Sequence, residues 1–226
     1  MAETCPKISV ITCTVRPEGL KLVEKSLNRQ TFQDFEFIVQ GKDKPTPEGY
    51  AWTLNHDYNV AIKKAKANLI VSWQDYTYAG PDTLEKFYTH FQQHPNYLVG
   101  AVGNKYQSEE FLVETWHDPR MRTDQGSFYP CYFSDIEWNL ASIPSKAIFD
   151  VGGFDESLDK YFGMDAFSVN ERIAMIGGYD FYLDQTIKSY SLEHGRFDKW
   201  EELNAIHGPY QEIKKSYVEN PRLTYI

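Results

Sequence analysis

Residues 69–76 read Leu69-Ile70-Val71-Ser72-Trp73-Gln74-Asp75-Tyr76, a short, mainly apolar run that leads into a carboxylate. A run of this length, bounded by polar residues, is typical of a strand in the interior of a parallel sheet. Asp75 would then lie just beyond the carboxyl end of the strand, at the edge of such a sheet where ligands bind. The stretch therefore predicts a buried parallel strand and one candidate site residue.

Strand-like and helix-like segments alternate on both sides of this run. Short apolar runs at 8–14 and 35–39 precede it, and a fourth run at 97–102 follows it. Between these runs apolar residues recur at helical spacing, in segments that begin near Leu20, Leu54 and Pro81. This β-α-β-α-β-α-β order predicts an α/β fold with a mostly parallel, Rossmann-like sheet flanked by helices.

The second half of the sequence is less regular. Residues 103–135 are rich in polar, aromatic and turn residues, which predicts hairpins or long loops in a smaller antiparallel region. Beyond it, the pattern predicts strands at 138–143, 181–183 and 187–192, and helices at 145–150, 166–176 and in the tail from residue 200. We expect a single domain over residues 1–226, divided into parts at 1–102, 103–195 and 196–226.

Composition and charge disfavour several classes of protein. The chain has 23 lysines and arginines against 32 aspartates and glutamates, a net charge of −9. Non-specific binding to nucleic acid needs basic side chains, so this balance disfavours that role. The lack of an apolar run of about 18 residues predicts no transmembrane helix, and the first residues lack the features of a signal peptide. Three cysteines without CxxC spacing favour a reducing compartment, so we expect a cytoplasmic protein.

Five motifs occur in an order and at spacings that are specific when taken together. They are Ile8-Ser9-Val10-Ile11-Thr12-Cys13-Thr14, Ser26-Leu27-Asn28-Arg29-Gln30-Thr31-Phe32-Gln33-Asp34-Phe35-Glu36, the set Asn59, Ala65 and Asn68, Val151-Gly152-Gly153-Phe154-Asp155-Glu156, and Gly163-Met164-Asp165. In this order the chain resembles the family 2 nucleotide-sugar glycosyltransferases with the GT-A fold, over roughly residues 7–195.

The resemblance implies an activity and a division of the chain. It implies transfer of a hexosyl or pentosyl group from a nucleoside-diphosphate donor, with a UDP-sugar favoured, to a hydroxyl of a glycan or another acceptor. It also implies inversion at the anomeric carbon and a divalent cation, Mn²⁺ or Mg²⁺, that assists departure of the diphosphate. Residues 1–102 would bind the nucleotide-sugar, and residues 103–195 would hold the acceptor and the catalytic base.

The resemblance, together with positions at strand ends, assigns candidate roles. Asp75 is the expected carboxylate ligand of the cation and His194 its second ligand, the alternatives being a turn-capping aspartate and a surface histidine. Asp165 is the expected general base, the alternative being an ordinary helix N-cap. The expected donor contacts are Thr14, Arg16, Gln40, Asp43, Asn59, Gln74 and Asp75, and the expected acceptor contacts are Trp138, Asn139 and Met164. Loop polarity and core packing are the alternatives for most of these contacts.

Two motifs depart from the family pattern. The aspartate cluster expected after the third strand is reduced to the single carboxylate of Asp75. The second strand ends in Gln40-Gly41-Lys42-Asp43, where the family has Asp-Asp-Gly-Ser. These departures make a catalytically weak nucleotide- or sugar-binding module the alternative from a different class.

Two further alternatives are enzymes. One is a glycosyltransferase that acts on a modified base in DNA, and its basic track would come from Arg120, Arg122, Lys146 and Lys160. The other is a sugar-phosphate nucleotidyltransferase, which we rank low because its glycine-rich, basic first loop has no counterpart in Thr14-Val15-Arg16-Pro17.

Overall fold

A computed structural model describes residues 5–14, 16–41, 46–161, 163–193 and 200–226, and for residues 200–207 the backbone alone. The strands are β1 (Ile8–Cys13), β2 (Phe35–Gln40), β3 (Leu69–Trp73), β4 (Thr77–Ala79), β5 (Tyr97–Tyr106), β6 (Glu114–Trp116), β7 (Phe128–Pro130), β8 (Leu140–Pro144) and β9 (Asp180–Leu192). The helices are α1 (Leu20–Leu27), α2 (Leu54–Lys64), α3 (Thr83–Gln93), α4 (Ser145–Asp150), α5 (Asp165–Ile176) and α6 (Trp200–Glu219). Short 3₁₀ turns cover Pro17–Gly19, Phe133–Asp135 and Glu156–Lys160.

One sheet organises these elements, in the order β2-β1-β3-β8-β5-β9-β4. β1 pairs in parallel with β2 and β3, and β5 pairs in parallel with β9. β8 is antiparallel to both of its neighbours, and β4 is antiparallel to β9. The short strands β6 and β7 both lie in residues 103–135, the region predicted to form hairpins. β6 pairs antiparallel with β5, and β7 pairs antiparallel with β9. Five of the seven strands in this order, all except β8 and β4, run in the same direction, so the predicted α/β fold with a mostly parallel sheet is confirmed.

Three predicted boundaries are wrong, and strand pairing explains two of them. β5 continues four residues past the predicted end at 102, because its second half pairs with β9 as far as Tyr106 opposite Leu192. The strands predicted at 181–183 and 187–192 are one strand, because a register shift absorbs the residues between Asp184 and Lys188. The strand predicted from residue 138 begins at Leu140.

The strands β1, β3 and β8 in the middle of the sheet are buried at every position, which is why they read as mainly apolar runs. In β3, Ile70 packs into one hydrophobic cluster, while Leu69, Val71 and Trp73 pack into the cluster on the other face. This is the alternation that a strand imposes on its side chains. Helix α2 contributes Tyr58, Ala61 and Ile62 to the first cluster, and α3 contributes Leu84 and Phe87 to the second.

The C-terminal segment crosses the turn at Gly152 and Gly153. The backbone N–H of Leu223 donates to Val151, and that of Tyr225 donates to Gly152. Both glycines have positive φ, +71° and +86°, and a Cβ at Gly152 would lie 1.7 Å from the carbonyl oxygen of Leu223. The two glycines therefore serve a tight backbone turn and a close chain crossing.

The described part of the chain contains no helix that combines the length and the apolar character needed to cross a membrane.

Candidate functional site

Two adjoining cavities open beyond the carboxyl ends of β1 and β3. They share Cys13, Leu54 and Gln74 in their walls. The smaller cavity, of about 250 Å³, is also lined by Thr14, Arg16, Thr46, Ala51, Trp52, Asp57 and Asp75. The larger, of about 310 Å³, is also lined by Tyr58, Ser134, Ile136, Glu137, Trp138, Asn139, Asp165, Ala166 and Phe167. This is the edge of the sheet where ligands of open α/β folds bind.

Asp75 is held at the wall of the smaller cavity by the turn after β1. Its carboxylate accepts a hydrogen bond from the Thr14 hydroxyl, and that hydroxyl in turn accepts one, 2.8 Å long, from the backbone N–H of Arg16. Burial raises the pKa of Asp75, while the Thr14 hydrogen bond and the charge of Arg16 act in the opposite direction. The site therefore places a carboxylate and a guanidinium at one cavity.

The turn that carries Asp75 is fixed by its neighbour Tyr76. Tyr76 has a φ of +56°, a value that is uncommon for a residue with a side chain. Its hydroxyl donates to the Glu18 carboxylate over 2.7 Å, and its ring packs so closely on Gly19 that a Cβ there would lie 2.5 Å away. Non-glycine residues with positive φ cluster at functional sites, where the surrounding structure supports the strain.

Asp165 lies at the wall of the larger cavity as the first residue of α5. Met164, the residue before it, has a φ of +64° and directs the chain into the helix. Burial raises the pKa of Asp165, and hydrogen bonds from the backbone N–H groups of Asp165 and Ala166 oppose that rise. The carboxylate therefore interacts with the start of its helix and also lines the cavity.

Aromatic side chains form the apolar wall of the larger cavity. Tyr58 and Trp138 meet edge to face with ring centroids 5.4 Å apart. The indole N–H of Trp138 donates to Asn170 of α5 over 3.0 Å, and the Asn170 amide donates to the carbonyl oxygen of Ile136 over 2.8 Å. Asn170 thus ties the cavity wall to the helix that carries Asp165.

The structure brings together most of the residues predicted from the sequence, and leaves others elsewhere. Thr14, Arg16, Gln74 and Asp75 line the smaller cavity, and Gln74, Trp138, Asn139 and Asp165 line the larger one. Asp43 and His194 lie outside the described residues.

Three predicted contacts do not line either cavity. The Asn59 amide binds both the backbone N–H and the carbonyl oxygen of Phe154, over 2.8 and 3.0 Å. The side-chain oxygen of Gln40 accepts a hydrogen bond from Lys64 over 2.8 Å. Met164 packs beside Leu158. These side chains serve internal contacts of the fold.

Of the three buried polar residues Asn55, Asp57 and Asn59 on α2, sequence reasoning predicted a role for Asn59 and missed the other two. Asp57 lines the smaller cavity and is only 2% exposed, and Asn55 and Asn59 are also buried on this helix. The available signal was the presence of three polar residues within the apolar stripe of Leu54, Tyr58, Ala61 and Ile62. Buried polar side chains are expected to have partners, so this interruption of the stripe could have marked α2 as part of the site.

Asp159 connects α2 to the second half of the chain. Its Oδ1 accepts hydrogen bonds from the backbone and side-chain amides of Asn55, and its Oδ2 accepts one from the backbone of His56, at 2.8 to 3.0 Å. These donors lie in the first turn of α2, where a carboxylate is also favoured by the helix dipole. Asp159 therefore fixes α2, which lines both cavities, against the segment that precedes α5.

The stability contributed by Asp159 should depend on pH. Burial raises the pKa of Asp159 to about 6, despite the three opposing hydrogen bonds, whereas an unfolded aspartate titrates near 3.9. As the pH falls, the folded state therefore binds the proton of Asp159 at a higher pH than the unfolded state does. The contribution of Asp159 to the free energy of unfolding rises by about 1 kcal/mol when the pH is lowered from 7 to 5. Urea unfolding of wild type and Asp159→Asn should show wild type gaining that amount relative to the variant. An equal difference at both pH values would contradict this assignment.

Of the metal ligands predicted from the sequence, Asp75 lines the smaller cavity. Of the two predicted ligands only Asp75 is described, and the residues in the described ranges contain no group of three or more histidine, cysteine, aspartate or glutamate side chains suited to a metal ion. A single carboxylate is nevertheless compatible with Mg²⁺, which is commonly bound by one or two carboxylates together with phosphate oxygens and water. Asp75 therefore fits a cation that arrives with a nucleotide.

The chain is similar to known proteins in structure. No family model and no curated protein sequence matches the chain. Among solved structures, S. aureus TarS (residues 1–349) in complex with UDP matches with a TM-score of 0.59 and 14% identity, over 83% of this chain and 60% of that one. GalNAc-T7 with UDP, GalNAc and Mn²⁺ matches with a TM-score of 0.61 and 12% identity, over 88% of this chain and 45% of that one.

The matches to these neighbours extend over most of the described fold. TarS in complex with UDP-GlcNAc gives a similar match, with a TM-score of 0.58 and 14% identity over 84% of this chain and 59% of that one. The chain thus spans about 60% of TarS residues 1–349 and 45% of the solved GalNAc-T7 chain, both GT-A-type glycosyltransferases. The resemblance predicted from sequence motifs is therefore confirmed at the level of fold: this chain has a GT-A-like glycosyltransferase fold.

Proposed function

We propose that this protein is a glycosyltransferase that moves a sugar from a UDP-sugar to an acceptor hydroxyl with inversion at the anomeric carbon. The observation that carries the proposal is the pair of adjoining cavities, with Asp75 and Arg16 at one and Asp165 at the other. Solved neighbours with the same fold contain UDP or UDP-GlcNAc, which favours a uridine nucleotide as the donor.

The smaller cavity suits the nucleotide and its diphosphate. Negative charge develops on the diphosphate as the sugar leaves, and fixed cations that face it lower the barrier. Arg16 provides one such charge, and Asp75 would hold a divalent cation at the same cavity. When bound, Mn²⁺ or Mg²⁺ would supply electrostatic stabilisation of the leaving diphosphate. Gln74, which lines both cavities, would hydrogen-bond the donor ribose without adding charge.

The larger cavity suits the acceptor and the base. Asp165 would accept the proton of the acceptor hydroxyl while that oxygen bonds to the anomeric carbon and the bond from that carbon to the diphosphate oxygen breaks. The raised pKa of Asp165 brings it closer to neutral pH, where a general base is more effective. Tyr58 and Trp138 offer the apolar surface on which the face of a sugar ring can pack.

The alternative of a modified base in DNA as the acceptor has less support than a glycan. Binding DNA would need basic side chains that are available to pair with phosphates. Arg120 is bound by Asp118 at 2.7 Å and by Glu137 at 3.3 Å. Lys146 is bound by Asp150 at 2.7 Å. Two of the four residues of the suggested basic track therefore already have acidic partners, and the net charge of −9 opposes the same role.

Nucleotide binding provides the direct test of the proposed function. The melting temperature should be measured with UDP, GDP, CDP and TDP, each with Mn²⁺, Mg²⁺ or EDTA, for wild type and Asp75→Asn. We expect UDP with metal to stabilise wild type by about 2.7 kcal/mol at 100 times its dissociation constant. Both EDTA and Asp75→Asn should remove most of that shift, because each removes the cation. No shift with any nucleotide would contradict the proposal, and a shift independent of metal with no sugar transfer would favour the binding-module alternative.

A further inference from the structure

The smaller cavity contains a second carboxylate that the chemistry proposed above does not use. Asp57 of α2 lines this cavity and is 2% exposed. Its Oδ2 accepts a hydrogen bond from the Thr53 hydroxyl over 2.8 Å. Its Oδ1 is buried and has no hydrogen-bond partner in the part of the chain that the structure describes. A buried polar atom left without a partner costs free energy, so a ligand that brings a hydrogen-bond donor would be favoured here.

Gly41 leaves the space that this carboxylate occupies. A Cβ at position 41 would lie 2.8 Å from Asp57 Oδ2 and 3.0 Å from the carbonyl oxygen of Thr14. The φ of Gly41 is +93°, which also disfavours any residue with a side chain. Because β2 ends one residue earlier, at Gln40, the carboxylate beside the end of this strand comes from α2 and not from β2 itself.

We propose that Asp57 selects the base of the nucleotide donor by accepting a hydrogen bond from the N3–H of a uracil or thymine ring, an inference that rests on the proposed function. The one oxygen of this carboxylate that has no partner among the described residues, Asp57 Oδ1, matches the single N–H at N3 of a uracil or thymine ring. Cytosine presents a lone pair at N3, which a carboxylate repels. Guanine presents two adjacent donors and would need both oxygens, one of which Thr53 already holds. Asp57 is therefore a specificity-determining residue, and Asp75 and Arg16 act on the diphosphate.

The experiment is a set of calorimetric titrations on the full chain with metal present. The ligands are UDP, CDP, GDP and UDP methylated at N3, which lacks the N–H. Wild type should bind UDP at least tenfold more tightly than it binds CDP, GDP or the methylated ligand. Asp57→Asn should weaken UDP binding at least tenfold and should lower or invert the preference for UDP over CDP, because the asparagine N–H₂ can donate to N3 of cytosine. The matched control is Asp184→Asn, which removes a buried carboxylate of β9 outside both cavities and should keep the wild-type preference.

The outcomes separate this inference from the proposed function. If wild type binds UDP and Asp57→Asn keeps the preference over CDP, the role of Asp57 is wrong and the proposed function stands. The same holds if wild type binds N3-methylated UDP as tightly as UDP, or GDP more tightly than UDP. If wild type binds no nucleoside diphosphate, both proposals fail. Should Asp57→Asn not fold, the comparison of the four ligands on wild type decides the matter.

Discussion

Replacement of Asp165 by asparagine is expected to lower the rate of sugar transfer by at least about 100-fold, the size of effect typical for loss of a general base. Asparagine keeps the shape of the side chain and its contact with the start of α5, but it cannot accept the proton of the acceptor hydroxyl. The dissociation constant of UDP should stay within about twofold of wild type, because Asp165 lines the larger cavity and not the smaller one. The measurement is UDP release from the UDP-sugar that binds best, together with titration of UDP.

The pH profile gives this prediction a second readout. A base acts only when deprotonated, so the rate of wild type should rise with pH through a pKa above the ordinary aspartate range, since burial raises the pKa of Asp165. Asp165→Asn should lack that rise. Asp150→Asn, which alters a carboxylate of α4 outside both cavities, is the matched control and should transfer sugar at the wild-type rate. A turnover above one tenth of wild type in Asp165→Asn would exclude the residue as the base.

Much of the fold follows from local patterns in the sequence. The strands at 8–13, 35–40 and 69–73 lie between layers of helices, so each reads as an apolar run that needs no long-range information to find. The positions of Thr14 and Asp75 follow from the same patterns, because Thr14 is the first residue after β1 and Asp75 the second residue after β3, and these two strands are parallel neighbours. Thr14 and Asp75 could therefore be predicted as site residues from their positions after the ends of strands.

What the sequence could not predict depends on contacts between distant residues. Asn59 matches a family motif, yet its amide binds Phe154, 95 residues further along the chain. The antiparallel placement of β8 between β3 and β5 likewise depends on pairing across the fold. Asp57 was missed because its proposed role depends on the space beside Gly41, which follows β2 and lies 16 residues earlier in the chain. A helical pattern shows which face is buried, but it does not show which cavity a polar residue on that face will meet.

Replacement of Phe154 by alanine should give the largest loss of stability among the changes considered, about 3 to 5 kcal/mol in the free energy of unfolding. Phe154 is fully buried, stacks on Tyr58 with ring centroids 4.6 Å apart and meets Trp138 edge to face at 4.7 Å. The alanine variant would lose these contacts and leave a cavity behind the aromatic wall of the proposed acceptor site. Urea unfolding measures the loss, and the melting temperature should fall by roughly 10 °C.

The effect on function should follow from the same contacts. Tyr58 and Trp138 line the larger cavity, so loosening their support should impair acceptor use more than UDP binding. Phe149→Ala provides the matched control, because Phe149 lies on α4, is 47% exposed and loses the same atoms. It should cost about 1 kcal/mol or less, since a half-exposed ring leaves no closed cavity. Equal losses in the two variants would mean that the packing of Phe154 against Tyr58 and Trp138 does not stabilise this wall, and the acceptor site would then need another support.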